Sequence, residues 1–159
     1  MTGRSRRAAL IAAAALFACS RVAGAQALFI PAVQYGDPLR ISGGLAVFVP
    51  IGETATFFRQ GVVVEGGAGQ GGARISGGVA RFLEDFGLDA RAVLSRTWSS
   101  PRHASPDSTY GGFEAGLTFA YVRVSAGVAH RISGPSEPDD ATIFTWGIAL
   151  QLPHYFHRK

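Results

Sequence analysis

Four histidines and a few clustered carboxylates are the side chains here with chemistry to offer. His103 lies in the polar stretch 99–109 with Ser100, Ser105, Asp107 and Ser108. Serine, histidine and aspartate are the types a hydrolase or acyltransferase uses to activate a nucleophile. The same stretch holds Pro101 and Pro106 and has no periodic pattern, so it reads as a flexible solvated loop that fixes no catalytic geometry. His154 and His157 could offer two imidazoles to a metal. Without a carboxylate or thiolate beside them they make a poor site, and the segment reads as a frayed tail. Glu137, Asp139 and Asp140 lack the spacing of a calcium loop. The run Gly66–Gly72 lacks the Lys-Ser/Thr pair and the helix of a phosphate loop, and reads as a hairpin. No catalytic, cofactor-binding or metal-binding residue is assigned, and no enzyme is expected.

A second set of charges is placed more regularly. Arg40, Glu65, Arg74, Asp89, Arg91, Glu114 and Arg123 all fall inside stretches that alternate apolar with small or polar residues. Period two means strand. In 73–81, Ala73, Ile75 and Val79 oppose Arg74, Ser76, Gly78 and Ala80. In 121–131, Val122, Val124 and Val128 oppose Arg123, Ser125 and Gly127. Val63 breaks the pattern of 60–69, where Val62 and Val64 oppose Glu65. A motif of Arg, apolar, Ser, small, Gly, apolar, Ala recurs at 40–46, 74–80 and 123–129. The unequal spacing of the copies speaks against a solenoid. As a water-facing surface the polar face is thin, being mostly Gly, Ala and Ser without lysine. As the lining of a narrow barrel it makes sense: small residues let the wall close, and interleaved cations and carboxylates pair in the middle. Glu65 and Arg74 are expected as diagonal neighbours across a Gln70-Gly71 turn.

The elements that position these charges follow from the ends and the composition. Residues 1–25 have the form of a secretory signal peptide: Arg4, Arg6 and Arg7, an apolar run from Ala8 to Cys19, and Ala23-Gly24-Ala25 as cleavage site. The run is too short for a membrane-spanning helix. Cleavage leaves a single domain, 26–159. It removes Arg4, Arg6, Arg7 and Arg21 and no acid, leaving eleven basic against eleven acidic residues. The high isoelectric point therefore belongs to the leader, and nothing points to nucleic acid. The one cysteine, Cys19, leaves as well, so the mature domain has no disulfide and no thiolate.

Strands are predicted at 39–51, 60–69, 73–81, 88–98, 110–120, 121–131 and 142–152, with 27–34 as an eighth despite Pro31. They are longer than the ~5–6 residues usual in globular sheets. With strands running alternately up and down, both long polar connections, 99–109 and 132–141, fall at one end. Aromatics fall at two heights: Tyr35, Trp98, Tyr110, Phe113, Phe144 and Trp146 near the long connections, and Phe48, Phe57, Phe58, Phe82, Phe86, Phe119, Tyr121 and Tyr155 near the short ones. Two girdles are expected where rings meet headgroups.

The last strand puts Phe144, Trp146, Ile148, Leu150 and Leu152 on one face and Thr145, Gly147, Ala149 and Gln151 on the other. Its Thr145, Gly147, Leu150 and Leu152 resemble the C-terminal sorting signal of bacterial outer-membrane barrels, although Pro153 to Lys159 follow where an aromatic usually ends the chain. With the leader, the parity and the loop asymmetry, the chain resembles the OmpA membrane-domain and OmpX kind of small barrel. The resemblance implies an all-β, antiparallel, up-and-down transmembrane barrel of eight strands in the outer membrane of a Gram-negative envelope. It implies a structural, adhesive or protective role without cofactor. The partners implied are outer-membrane lipid, the barrel-assembly machinery and periplasmic chaperones; the protein is expected to be a monomer. Two other readings stand beside it: a soluble periplasmic barrel holding an apolar ligand, and an outer-membrane rim enzyme using His103.

Overall fold

The structure, a computed structural model, describes residues 27–52, 58–98, 101–135, 141–152 and 154–155. The expected leader, 1–25, lies outside them. Eight long strands follow one another: β1 (Leu28–Asp37), β2 (Arg40–Pro50), β3 (Phe58–Gly69), β4 (Gly72–Leu83), β5 (Phe86–Thr97), β6 (Thr109–Phe119), β7 (Val122–Ser133) and β8 (Thr142–Gln151). Each pairs antiparallel with its sequence neighbour, and β1 pairs with both β2 and β8. The sheet is therefore a closed up-and-down barrel, which leaves no edge of unpaired backbone groups.

The first strand carries the closure, with Ala32–Asp37 opposite Trp146–Gln151. Pro31 has no N–H to give a ladder, and the chain places it where one is not needed. The β8 ladder ends at Ala32, and a two-residue strand, β9 (His154–Tyr155), resumes the pairing at Phe29 and Leu28. In the gap Pro31 only accepts, its carbonyl taking the Leu152 N–H at 2.9 Å. Of the segment read as a frayed tail, His154 and Tyr155 thus continue the wall, and His157 lies outside the described residues.

The two ends differ. At one, β4–β5 and β6–β7 are joined by the pairs Glu84-Asp85 and Ala120-Tyr121. At the other lie the turns at Pro38-Leu39 and Gln70-Gly71 and the long connections after β5 and β7. The described part of the connection after β5, 101–108, is pinned by hydrogen bonds. The Thr97 hydroxyl donates to the Ser105 carbonyl (2.6 Å) and accepts the Ser108 N–H (3.1 Å), while the Ser105 N–H donates to the Tyr110 hydroxyl (3.0 Å). Thr97, Ser105, Ser108 and Tyr110 are all buried. The Arg102 N–H reaches the Pro38 carbonyl at 3.1 Å, so this segment crosses from β5 to the β1–β2 turn and covers the mouth.

The faces separate as alternation dictates. Outward stand Val33, Ile41, Leu45, Val62, Val64, Ile75, Val79, Leu88, Leu94, Leu117, Val124, Val128, Ile148 and Leu150. Phe113 and Phe119 are the most open, at 76% and 69% of their full exposure. Inward, the short-turn end is filled by Ile30, Ala46, Phe48, Val63 and Ala80, with Leu28 and Phe82 packed against them. Phe48 and Phe82 meet edge to face at 5.2 Å. Val63, the residue out of step in its strand, is inward after all, as part of this plug. Two expected girdle positions correct in the same way: Phe48 and Phe82 sit on inward parity and fill the lumen. Tyr110 is likewise fully buried beside Ala129 and Ile143. Phe57 lies outside the described residues.

Phe48 and Phe119 differ only in the side of the wall they occupy. Phe48→Ala is expected to open a cavity and cost about 3–5 kcal/mol. Phe119→Ala, which opens none, should cost much less. Urea titrations of the two refolded variants make the comparison; equal losses would contradict the placement of the plug.

Candidate functional site

Above the apolar plug the lumen holds six charged side chains from five consecutive strands. Glu65 comes from β3, Arg74 from β4, Asp89 and Arg91 from β5, Glu114 from β6 and Arg123 from β7. They form a closed cycle of alternating sign. Arg91 pairs with Glu65 through Nη1 and with Asp89 through Nε at 2.7 Å. Arg123 donates to Asp89 from Nε (2.9 Å) and Nη2 (2.7 Å), and from Nη2 to Glu114 at 2.8 Å. Arg74 grips both Glu114 oxygens, at 3.2 and 3.3 Å, and its Nε lies 3.9 Å from Glu65 Oε1, which closes the cycle. Three cations face three anions, and each guanidinium lies within ion-pair distance of two carboxylates, although Arg74 Nε makes no hydrogen bond among the described residues. All six side chains are at most 7% exposed.

Local sequence makes this cycle possible. Arg91 and Glu114 are directly opposed in register, and so are Asp89 and Gly116. Gly116 has to be glycine: a Cβ there would lie 2.5 Å from both Arg123 Nη2 and Asp89 Oδ2. Arg74 stands opposite Gly67, diagonal to Glu65, but its closer partner is Glu114, two strands away across the lumen. β1, β2 and β8 bring Gln34, Ser42 and Thr145 to the same space, where with Arg74, Ser95 and Glu114 they bound a cavity of about 20 Å³. That is room for about one water molecule.

Arg40 does not belong to the set. It has a φ of +63°, at the end of the Pro38-Leu39 turn, and this breaks the alternation. Its side chain is exposed, and Leu39 beside it takes the inward position at 5% exposure. Of the last-strand residues, Leu150 and Leu152 stand outward and exposed, Gly147 is inward and buried against Gln34, and Thr145 lines the cavity.

A second cluster sits on the rim at the long-loop end. Asp37 Oδ2 accepts from His103 Nδ1 at 2.8 Å and from Trp146 Nε1 at 2.9 Å. Arg102 donates to the Tyr35 hydroxyl at 2.9 Å and places Nε 3.6 Å from Asp37 Oδ1. Sequence reasoning singled out His103 but missed Asp37. Sixty-six positions separate them, and only the crossing of the mouth brings them together. Among the described residues no serine is bonded to His103, and no group of three or more His, Cys, Asp or Glu could hold a metal.

The arrangement is chemically quiet at the centre. Every charge in the lumen is spent on a neighbour, between an apolar plug and a covered mouth. Comparison with known protein families, curated proteins and solved structures gives no match to this chain.

Arg123→Leu leaves Asp89 and Glu114 short of a partner in a buried place, and should cost about 3–5 kcal/mol. Arg40→Leu, at an exposed position outside the cycle, should stay within about 0.5 kcal/mol of the parent. Urea titrations compare them; a silent Arg123→Leu would contradict the cycle. The filled lumen also predicts no stable porin-sized conductance from the purified protein in planar bilayers, and large steady channels would contradict it.

Proposed function

We propose that this is a small, non-enzymatic outer-membrane β-barrel protein with a structural, adhesive or protective role. In this reading it stands as a monomer in the outer-membrane lipid, having been exported with the help of periplasmic chaperones and inserted by the barrel-assembly machinery. The connections after β5 and β7 face outward from the cell. One observation carries the proposal: the polarity of the barrel is reversed. Leucine, valine, isoleucine and phenylalanine cover the outside of all eight strands, while the buried charges are inside. Soluble monomers rarely expose a continuous apolar patch larger than ~300–600 Å². Here the apolar surface runs around the whole wall. Strands of 10–12 residues, rising ~3.3 Å per residue and tilted by ~40°, give a band roughly 25–30 Å tall, the height of a bilayer's hydrocarbon.

The soluble alternative requires an apolar interior open to a ligand. The apolar part of the lumen is filled by Ile30, Phe48, Val63 and Phe82 themselves. The aromatic side chains that do stand outward support the membrane reading: Tyr35, Trp98, Phe113 and Phe144 towards one end, and Phe86, Phe119 and Tyr121 towards the other.

Ile148 decides between water and lipid. It is outward, mid-wall and half exposed. Ile148→Arg should cost about 2–4 kcal/mol for folding into lipid vesicles. On a water-facing wall the same change should be nearly neutral, within ~0.5 kcal/mol. Vesicle folding titrations give the answer, with heat-modifiable gel migration reporting the folded form. Ready folding of the parent without lipid or detergent would contradict the proposal.

A further inference from the structure

Where β1 and β8 meet at the long-loop end, Asp37 stands opposite Trp146 in register. The segment that crosses the mouth comes down on this place and leaves Arg102 and His103 over the outer wall. The Asp37 side chain, 5% exposed, is the anchor, held by Trp146 on one side and His103 on the other. His103 has a φ of +52°, a left-handed conformation that side chains other than glycine's avoid. Its Nδ1 is committed to Asp37. Arg102 commits Nη1 to Tyr35. His103 Nε2 and Arg102 Nη2 have no partner among the described residues, and the two side chains are 68% and 44% exposed. Below them on the wall Tyr35 packs edge to face on Trp146 at 5.9 Å, and Val33 and Ile148 carry the apolar wall onward from that pair.

A planar guanidinium is the donor that a phosphate oxygen takes in short, charge-assisted hydrogen bonds. A histidine ring carries two nitrogens that can each meet a polar partner, and with Nδ1 on Asp37 the Nε2 of His103 is the one left for an anion beside Arg102. The aromatic pair fixes the height of the site, because tyrosine and tryptophan collect where headgroups begin. We infer that Arg102 and His103, oriented by Asp37, bind the phosphate of a lipid headgroup in the leaflet around the long-loop end. The inference rests on the membrane reading above. The lipid's acyl chains would lie along Val33 and Ile148.

The test uses the mature chain folded in uncharged detergent micelles, with ¹⁵N-labelled histidine. Dihexanoyl phosphatidic acid and inorganic phosphate are titrated separately while the His103 Nε2 resonance is followed. A saturable shift is expected with the lipid, at least about tenfold tighter than with inorganic phosphate, because the lipid also gains the wall. Arg102→Gln should weaken lipid binding roughly tenfold, the worth of one charge-assisted hydrogen bond. Arg96→Gln, an exposed arginine bonded to Thr109 on β6, should leave it unchanged. Equal losses in the two variants would show diffuse charge attraction and overturn the site. Equal affinity for lipid and inorganic phosphate would overturn the lipid assignment, and no saturable shift in folded protein would overturn the inference altogether. A chain that folds without detergent would sink the membrane reading instead, which keeps the two failures apart.

Discussion

An eight-stranded wall leaves room inside only for its own side chains. Six charges placed there have to satisfy one another, because there is little water to do it. This constraint explains why the cycle is complete. Each arginine bridges two carboxylates and each carboxylate meets two arginines, so no member is left with a single partner. It explains Gly116, which gives up a side chain so that Arg123 and Asp89 can meet. It explains the neutral sum of the set as well. A seventh charge would have no counterpart, and Arg40, the one extra cation expected there, is turned out to solvent.

The same narrowness sets the ends. With the middle committed to ion pairs, the short-turn end is closed by Phe48, Phe82 and their aliphatic neighbours. The long-loop end is closed by a segment pinned through Thr97, Tyr110 and Pro38. A lumen filled with paired charge and plugs leaves the outer wall as the surface where this protein meets its surroundings. That is why the proposed role is placed on the wall, the rim and the loops and not in the interior.

Much of this was legible in the sequence because alternation is a local property. Period two placed Arg74, Asp89, Arg91, Glu114 and Arg123 on the lumen side of their strands, and the turn residues divided the chain into eight runs. One departure comes where alternation stops. Arg40 and Leu39 sit at a turn whose positive φ shifts the parity by one. Phe48, Phe82 and Tyr110 depart for another reason: their chemistry suggests girdle residues, but their parity is inward, and parity decides. The partners of each charge were less legible: Arg74 prefers Glu114, forty positions away, over its diagonal neighbour, because the lumen is narrow enough to reach across. Nothing in the sequence joined Asp37 to His103, since the loop that unites them carries no periodic signal.

The central claim is that the apolar face of the strands meets lipid and the polar face does not. The most direct measurement is a spin-label scan along 142–152 of the folded protein in bilayers, using single cysteines in residues 26–159, which contain no cysteine of their own. Collision with oxygen reports hydrocarbon, and collision with a water-soluble nickel complex reports water. The account predicts strong oxygen collision at 144, 148 and 150, and little of either at 143, 147 and 149. Nickel collision at the outward positions, with oxygen no greater there than at their neighbours, would contradict it.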